Sequence, residues 1–329
     1  MTDEVLLGVD ENGLGPRLGP LVVTAVVARA SGSGVAKASS RPKGALRKRL
    51  DDSKKLVSFK DNALGEAWAR AIARRTGLGD AKTADELIHL LSMDGPAALR
   101  APCPGDHLGQ CWDPGDEPFQ CDAKLLAKVE RDLEALGAAG VDVVRGACVV
   151  TCTRRLNEGV AKGLTRFHTD LHAMERLVLD ARERVGCEVT AVCGKVGGFN
   201  QYSPAFGPLA GRLHAVVVEG RARSEYSFPG LGRLAFVRDA DAKHLLVSMA
   251  SLVGKWVRDV LMARIVRYHR VNDVDLPEAS GYHDPVTARF VAATRLSRKK
   301  HELPDDCFER KAWGRENAAG RAGGRGLPG

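Results

Sequence analysis

Aromatic residues are scarce in this chain of 329 residues: Phe, Trp and Tyr together make up 5%. Recognition by rows of stacked bases is therefore a poor expectation. Long apolar runs are missing as well. The longest, Leu245 to Gly254, falls far short of the ~20 residues that a membrane span needs. The start lacks the basic, apolar and small-residue succession of a secretory signal. Eight cysteines without such a signal point to thiols or a metal site in a cytoplasmic protein, not to a disulfide frame.

What is present reads as globular: 44% hydrophobic and 27% charged residues. The length permits one large domain or two ordinary ones. A formal net charge of +8 favours acidic partners, of which nucleic acid is the commonest, bound by its backbone.

The start carries the most information. Val5 to Val9 is an apolar run that leads straight into Asp10 and Glu11. A turn spaced by glycine and proline follows (Asn12-Gly-Leu-Gly-Pro-Arg-Leu-Gly-Pro20), then a second apolar run from Leu21 to Val27. This predicts strand, tight turn, strand, with two acids at the first strand's end. Adjacent strand residues face opposite ways, so such a pair is costly in a core unless cations, donors or water meet it.

Further along, Ser31 to Pro42 reads as a flexible loop. Ala63 to Arg75 has helical spacing, and Thr83 with Glu86 forms a capping-box pattern before Leu87. Five prolines interrupt residues 94–121. A helix is expected from Asp122 to Leu136, a strand from Val141 to Thr153 and an amphipathic helix from Leu164 to Val185. Strands follow at Glu188 to Cys193 and Leu234 to Val237, and Asp241 opens a helix to about His269. The alternation makes the class α/β. Residues 311–329, rich in Gly, Arg and Ala, are expected to be a disordered basic tail.

Three acids, Asp10, Glu11 and Asp241, thus stand where strands end or helices begin. Clustered carboxylates favour hard divalent cations, and two such ions can promote phosphodiester cleavage. The segment Gly8 to Pro20 resembles the opening motif of type 2 ribonuclease H. Further matches occur in that family's order: Asp52-Ser53-Lys54, Val196-Gly197 with Tyr202, Ser227-Phe-Pro-Gly230, Ala240-Asp241-Ala242-Lys243 leading into Val247 to Asp259, and Ser280-Gly281-Tyr282-His-Asp284-Pro285. Several resemble the archaeal and eukaryotic branch, of which this chain looks like a divergent member.

The resemblance implies a ribonuclease H-like fold, with a mixed central sheet flanked by helices, built from residues 1–60 and 140–310. Residues 61–139 form an inserted helical and loop region without a counterpart. It also implies hydrolysis of RNA in RNA·DNA hybrids, or at ribonucleotides in duplex DNA, with Mg2+ or Mn2+. Asp10, Glu11 and Asp241 carry over as catalytic metal ligands. Gly13, Gly15, Lys54, Lys243 and Tyr282 carry over as substrate-binding positions. Asp51 reads as a solvated neighbour of Asp52.

Two positions depart from the family. Its third acid falls on Cys193 or Gly194, neither of which is an oxygen ligand, and Lys195 adds positive charge beside them. Its motif arginine is Leu14, and Arg17 stands three residues on as a substitute. The rival reading is a catalytically silent nucleic-acid-binding module or a scaffold subunit. Cys103, His107, Cys111 and Cys121 form a candidate structural Zn2+ set within the insert. Cys148 and Cys152 read as core residues.

Overall fold

In the computed structural model the described residues are 3–103, 108–115, 117–197, 199–271 and 274–311. Seven strands form one sheet in the order β3-β2-β1-β4-β7-β6-β5. They are β1 Glu4–Asn12, β2 Leu21–Ala30, β3 Val141–Thr151, β4 Val189–Gly194, β5 Ala215–Glu219, β6 Arg223–Phe228 and β7 Gly232–Val237. β1, β2 and β3 run antiparallel, β1-β4 and β4-β7 are parallel, and β6 and β5 return antiparallel. This is the mixed central sheet flanked by helices that the resemblance implies.

The principal helices are α1 Ala63–Arg75, α2 Ala84–Leu91, α3 Ala123–Ala138, α4 Thr153–Ala161, α5 Arg166–Val185, α6 Leu245–Arg270 and α7 Pro285–Ala293. Alternation along β1 and β2 splits the core. Leu6, Val22 and Val26 face α1, α2, α3 and the first half of α6. Val5, Leu7, Val9, Leu21 and Val23 face α5 and an aromatic group around Tyr202 and Phe236. Each fully buried Leu or Phe stabilises by about 2–3 kcal/mol. The helices of residues 61–139 thus share one core with the sheet and α6.

Several local expectations change. Ser31 to Pro42 is not all loop: Ser33–Ala38 is helical, with Gly34 and Ala38 buried. Thr83 does cap α2 by accepting from the Glu86 amide, but the Glu86 side chain accepts from Lys82 and not from Thr83. The helix expected from Asp241 is two, because His244 is extended (φ −123°, ψ 126°) between Ala240–Lys243 and α6. The β5-β6 hairpin carries no strand signal in the sequence, since Val216, Val217 and Val218 of its edge strand are all exposed and do not alternate.

The far end of α6 packs with α7 and Phe308. His269 is buried there, 3.0 Å from Gln110 Oε1 and edge-on to Phe290 and Phe308. Burial, with Arg298 and His301, pushes its pKa down from 6.5 to about 4. The folded chain therefore binds fewer protons than the unfolded one between those values. This contribution is fully present above pH 6.5 and is lost as pH falls through the window, about 3 kcal/mol in all. Replacing His269 with Gln is expected to flatten the pH dependence of the urea midpoint between pH 4 and 6.5.

Candidate active site at the ends of β1 and β4

β1 lies mid-sheet between β2 and β4, and its last residues are Asp10, Glu11 and Asn12. The start of α6 crosses directly over Gly8, where a β-carbon would overlap the Leu246 and Val247 backbone. That close approach brings Ser251 to the strand end. Asn12 Nδ2 donates to the Ser251 carbonyl at 3.2 Å, and the Ser251 and Ser53 hydroxyls lie 2.9 Å apart. The latter contact docks the short helix Ser53–Leu56, whose cap Asp52 accepts from the Lys54 amide at 3.0 Å. Asp51 is buried rather than solvated and is paired with Arg41 and Arg47.

Asp241 sits in the first turn of the helix Ala240–Lys243, just past the end of β7. Its carboxylate accepts from the Ala242 amide at 3.0 Å, and its carbonyl accepts from the α6 residue Ser248 at 2.6 Å. The three acids act on one another. Burial raises the Asp10 pKa well above its ordinary value, and the charges of Glu11 and Asp241 raise it further. Burial lifts Glu11 to about 7 against the Leu14 amide and Lys54, with Asp241 adding to the rise and Arg258 opposing it. Asp241 is raised by burial and by Asp52, with Lys54 opposing. A half-buried group of like charges therefore stands at the sheet edge, with Lys54 and Arg258 as its near cations.

The register resolves which strand residue stands beside Asp10. Val9 pairs with Cys193, so Gly194 comes abreast of Asp10, and a β-carbon there would lie 2.9 Å from Asp10 Oδ1. Cys193 turns into the core on the α5 side. The place next to Asp10 thus has no side chain. Lys195 does not put its charge at this site; its ammonium donates to the Gly220 carbonyl and the Ser224 hydroxyl.

One acid escaped the sequence reading. Asp170, on α5, is fully buried, and neither of its carboxylate oxygens has a hydrogen-bond partner. Burial, then Glu11 and Asp10, holds its pKa far above the usual carboxylate range. A signal was available: Asp170 falls on the apolar stripe Phe167, Leu171, Met174, Leu177, Val178, where a solvated acid does not belong.

The turn after β1 is held by arginines from distant segments. Gly13 adopts φ 99°, and a β-carbon there would lie 2.8 Å from Arg258 Nε and from the Pro20 carbonyl. Gly15 carries no such demand, having nothing within 4 Å. Arg310, itself buried, donates to the Gly13 carbonyl at 2.5 Å and the Gly19 carbonyl at 2.8 Å. Arg166 donates to the Leu14 and Pro16 carbonyls at 3.3 and 3.2 Å. Arg17 is engaged elsewhere, 2.5 Å from Glu309. The backbone amides of Arg17 and Leu18 donate to the Gly281 carbonyl, which brings the exposed Tyr282 to the turn. The Arg258 guanidinium lies 4.6 Å from the Tyr282 ring centre. Lys243 bends back onto the Arg238 carbonyl and Asp239. A groove of about 530 Å³ runs beside the turn, lined by Leu14, Arg17, Arg166, Phe167, Phe199 and Arg310.

Replacing Arg310 with Gln would strand carbonyls that only its guanidinium reaches together. A loss of about 2–3 kcal/mol is expected, read as a lower denaturant midpoint.

The candidate zinc residues divide. Burial raises the Cys111 thiol, and its thiol neighbours are Cys152, Cys103 and Cys307. Cys121 is buried apart from them, with Glu66 nearby. His107 lies outside the described residues. Cys148 is fully buried, as expected, whereas Cys152 is half-buried at the α4 cap. Among the described residues no group of three or more His, Cys, Asp or Glu side chains is already arranged to hold a metal ion. No helix among them is long and apolar enough to cross a membrane.

No family model matches the chain. Among solved structures it overlaps the PCNA:RNase HII complex from Archaeoglobus fulgidus (17% identity, TM-score 0.39), covering 94% of this chain and 95% of that one. It also overlaps Bst-RNase HIII in complex with Mn2+ (13%, 0.44; 98% and 72%). A third is the ribonuclease H2 from Pyrococcus horikoshii OT3 (14%, 0.39; 92% and 92%). Overlaps this loose leave the chemistry of this chain to its own residues.

Proposed function

We propose that this chain is a divalent-metal-dependent ribonuclease of the type 2 ribonuclease H kind. Its substrates are RNA in RNA·DNA hybrids or ribonucleotides in duplex DNA. What supports the reading is that Asp10 and Glu11 end β1 while Asp241 follows the end of β7, with only β4 between the two strands. These acids lie beside a turn held by Arg310 and Arg166, with Arg258 packed against Gly13.

Mg2+ or Mn2+ fits the residues present. The donors are hard carboxylate oxygens, which suit such ions. Asp10, Glu11 and Asp241 would hold the ion. When bound, it supplies Lewis-acid stabilisation of the scissile phosphate and an activated water. The protein's own part is positional. Arg310 and Arg166 fix the turn against which a backbone can lie, while Lys54 and Arg258 offset the acids. Tyr282, packed on Arg258, offers an exposed ring and hydroxyl to the sugar, where a 2′-hydroxyl distinguishes RNA from DNA.

The empty place at Gly194 favours a second reading, a silent hybrid-binding module. A cleavage assay separates the two. It uses a hybrid, a DNA duplex with one ribonucleotide and plain DNA, each with Mg2+ and with Mn2+. Cleavage of the first two alone supports the ribonuclease. Salt-sensitive binding without cleavage supports the module.

A further inference from the structure

The groove beside the turn after β1 joins two features that the acids do not use: an exposed flat ring and positive charge without an acid. Phe199 is 41% exposed, yet its ring is fixed. It stacks on Phe167 with ring centres 3.9 Å apart and planes 12° apart, and its amide donates to the Val196 carbonyl at 3.1 Å. Phe167 in turn leans on Tyr202, which is stacked on Phe236 in the core. A ring held this firmly loses little freedom when another flat group lies on it. The charge comes from Arg166 and Arg310, whose guanidiniums meet at the Leu14 carbonyl, 3.3 and 3.4 Å away. Among the described residues, their hydrogen bonds go to backbone carbonyls. Arg310 Nη2 is buried and has no partner. Glu309, the acid lining the groove, is taken by Arg17. Two like charges that converge without an acid favour an anion. The N-terminus of α5 at Thr165 opens into the same groove and adds to that preference.

A flat aromatic group joined to an anion is the chemistry of a nucleotide. The groove's volume of about 530 Å³ suits one small ligand and not a duplex. Leu14, two residues past the end of β1, lines it, so a nucleic-acid strand lying at the acids comes within reach. We propose that this groove is a subsite for one unpaired nucleotide beside a duplex, with its base on Phe199 and its phosphate at Arg166, backed by the charge of Arg310. One ring serves one base, not a row of them. The proposal rests on the nucleic-acid-binding reading given above and holds for the ribonuclease and the silent module alike.

The test is fluorescence anisotropy on the full chain with a labelled RNA·DNA hybrid, in chelator so that nothing is cleaved. The duplex is blunt, or carries one unpaired nucleotide at an end, or carries the same overhang without its base. The parent is expected to bind the overhang about tenfold more tightly than the blunt duplex, as one stacked base allows, and the abasic overhang far less so. Phe199→Ala is expected to bring that ratio below about twofold, and Phe199→Trp to keep it, since indole stacks as well. Leu296→Ala removes an exposed apolar side chain outside the groove and should leave the ratio as it is. Each ratio is taken on one protein sample, so a loss of folded protein cancels. A parent that binds blunt and overhanging duplexes equally overturns the subsite and leaves the nucleic-acid reading standing. A preference that survives Phe199→Ala overturns it too. So does adenosine monophosphate that binds through Phe199 while the overhang brings no gain, which marks a site for free nucleotide. If the parent binds no duplex at all, the nucleic-acid reading falls, and this subsite with it.

Discussion

Asp10→Asn is expected to reduce cleavage of an RNA·DNA hybrid by about a thousandfold while leaving the fold intact. The exchange keeps the shape and removes one charge. Asp10 is the acid on which the others bear most plainly: Glu11 and Asp241 both raise its pKa, and burial adds the largest part. Removing its charge relieves that repulsion, so the variant should melt at or above the parent's temperature. Binding should survive too. A phosphate backbone approaching Glu11, Asp241 and Asp10 meets repulsion that Lys54 and Arg258 only partly offset, so losing one acid is expected to hold or tighten hybrid affinity in the absence of metal. Lost cleavage, kept fold and kept binding form the signature of a metal ligand. A general folding defect would lose all three. Cleavage that persists at the parent's rate would remove Asp10 from the chemistry.

Much of this site was legible because its parts obey local rules. An apolar run ending in two acids, then a turn with Gly13 at φ 99°, is a strand end whatever surrounds it. Asp241 was legible for the same reason, as an acid opening a helix after a strand. What failed to show are the long-range partners. Arg310 and Arg166 reach the turn from positions about 300 and 150 residues away, and no spacing rule carries that distance. Arg17 seemed the nearest substitute for a motif arginine, yet its partner Glu309 comes from the far end of the chain. The thiols mislead similarly: Cys103 and Cys111 meet Cys152 and Cys307 across the fold, while Cys121, closer in sequence, does not join them. Asp170 is an intermediate case. Its place on the α5 stripe was readable, but that neither of its oxygens finds a donor there shows only in the packed fold.

The same packing that builds the site makes Gly8 its most sensitive small residue. Gly8 pairs with Val26 on one side and Val192 on the other, so hydrogen bonds on both edges hold the strand in place. On its open face lies the first turn of α6. A methyl group at residue 8 would fall on the Leu246 carbonyl carbon and the Val247 amide, and 2.6 Å from Leu246 Cβ. These are backbone and core atoms, so no flexible side chain can swing aside. The helix cannot retreat freely either, because Ser248 holds the Asp241 carbonyl and Ser251 holds Asn12. Gly8→Ala is therefore expected to cost about 3 kcal/mol or more, at the upper end for overpacking, read from the urea midpoint. Whatever movement does occur must lift α6 from β1 and draw Asp241 away from Asp10, so Mn2+ affinity should fall even where the variant is still folded. Gly15→Ala, with nothing within 4 Å, should change stability by less than about 0.5 kcal/mol. If Gly8→Ala proved as mild as Gly15→Ala, α6 could not lie on β1 as closely as the site requires, and the contact that joins Asp241 to Asp10 would have no support.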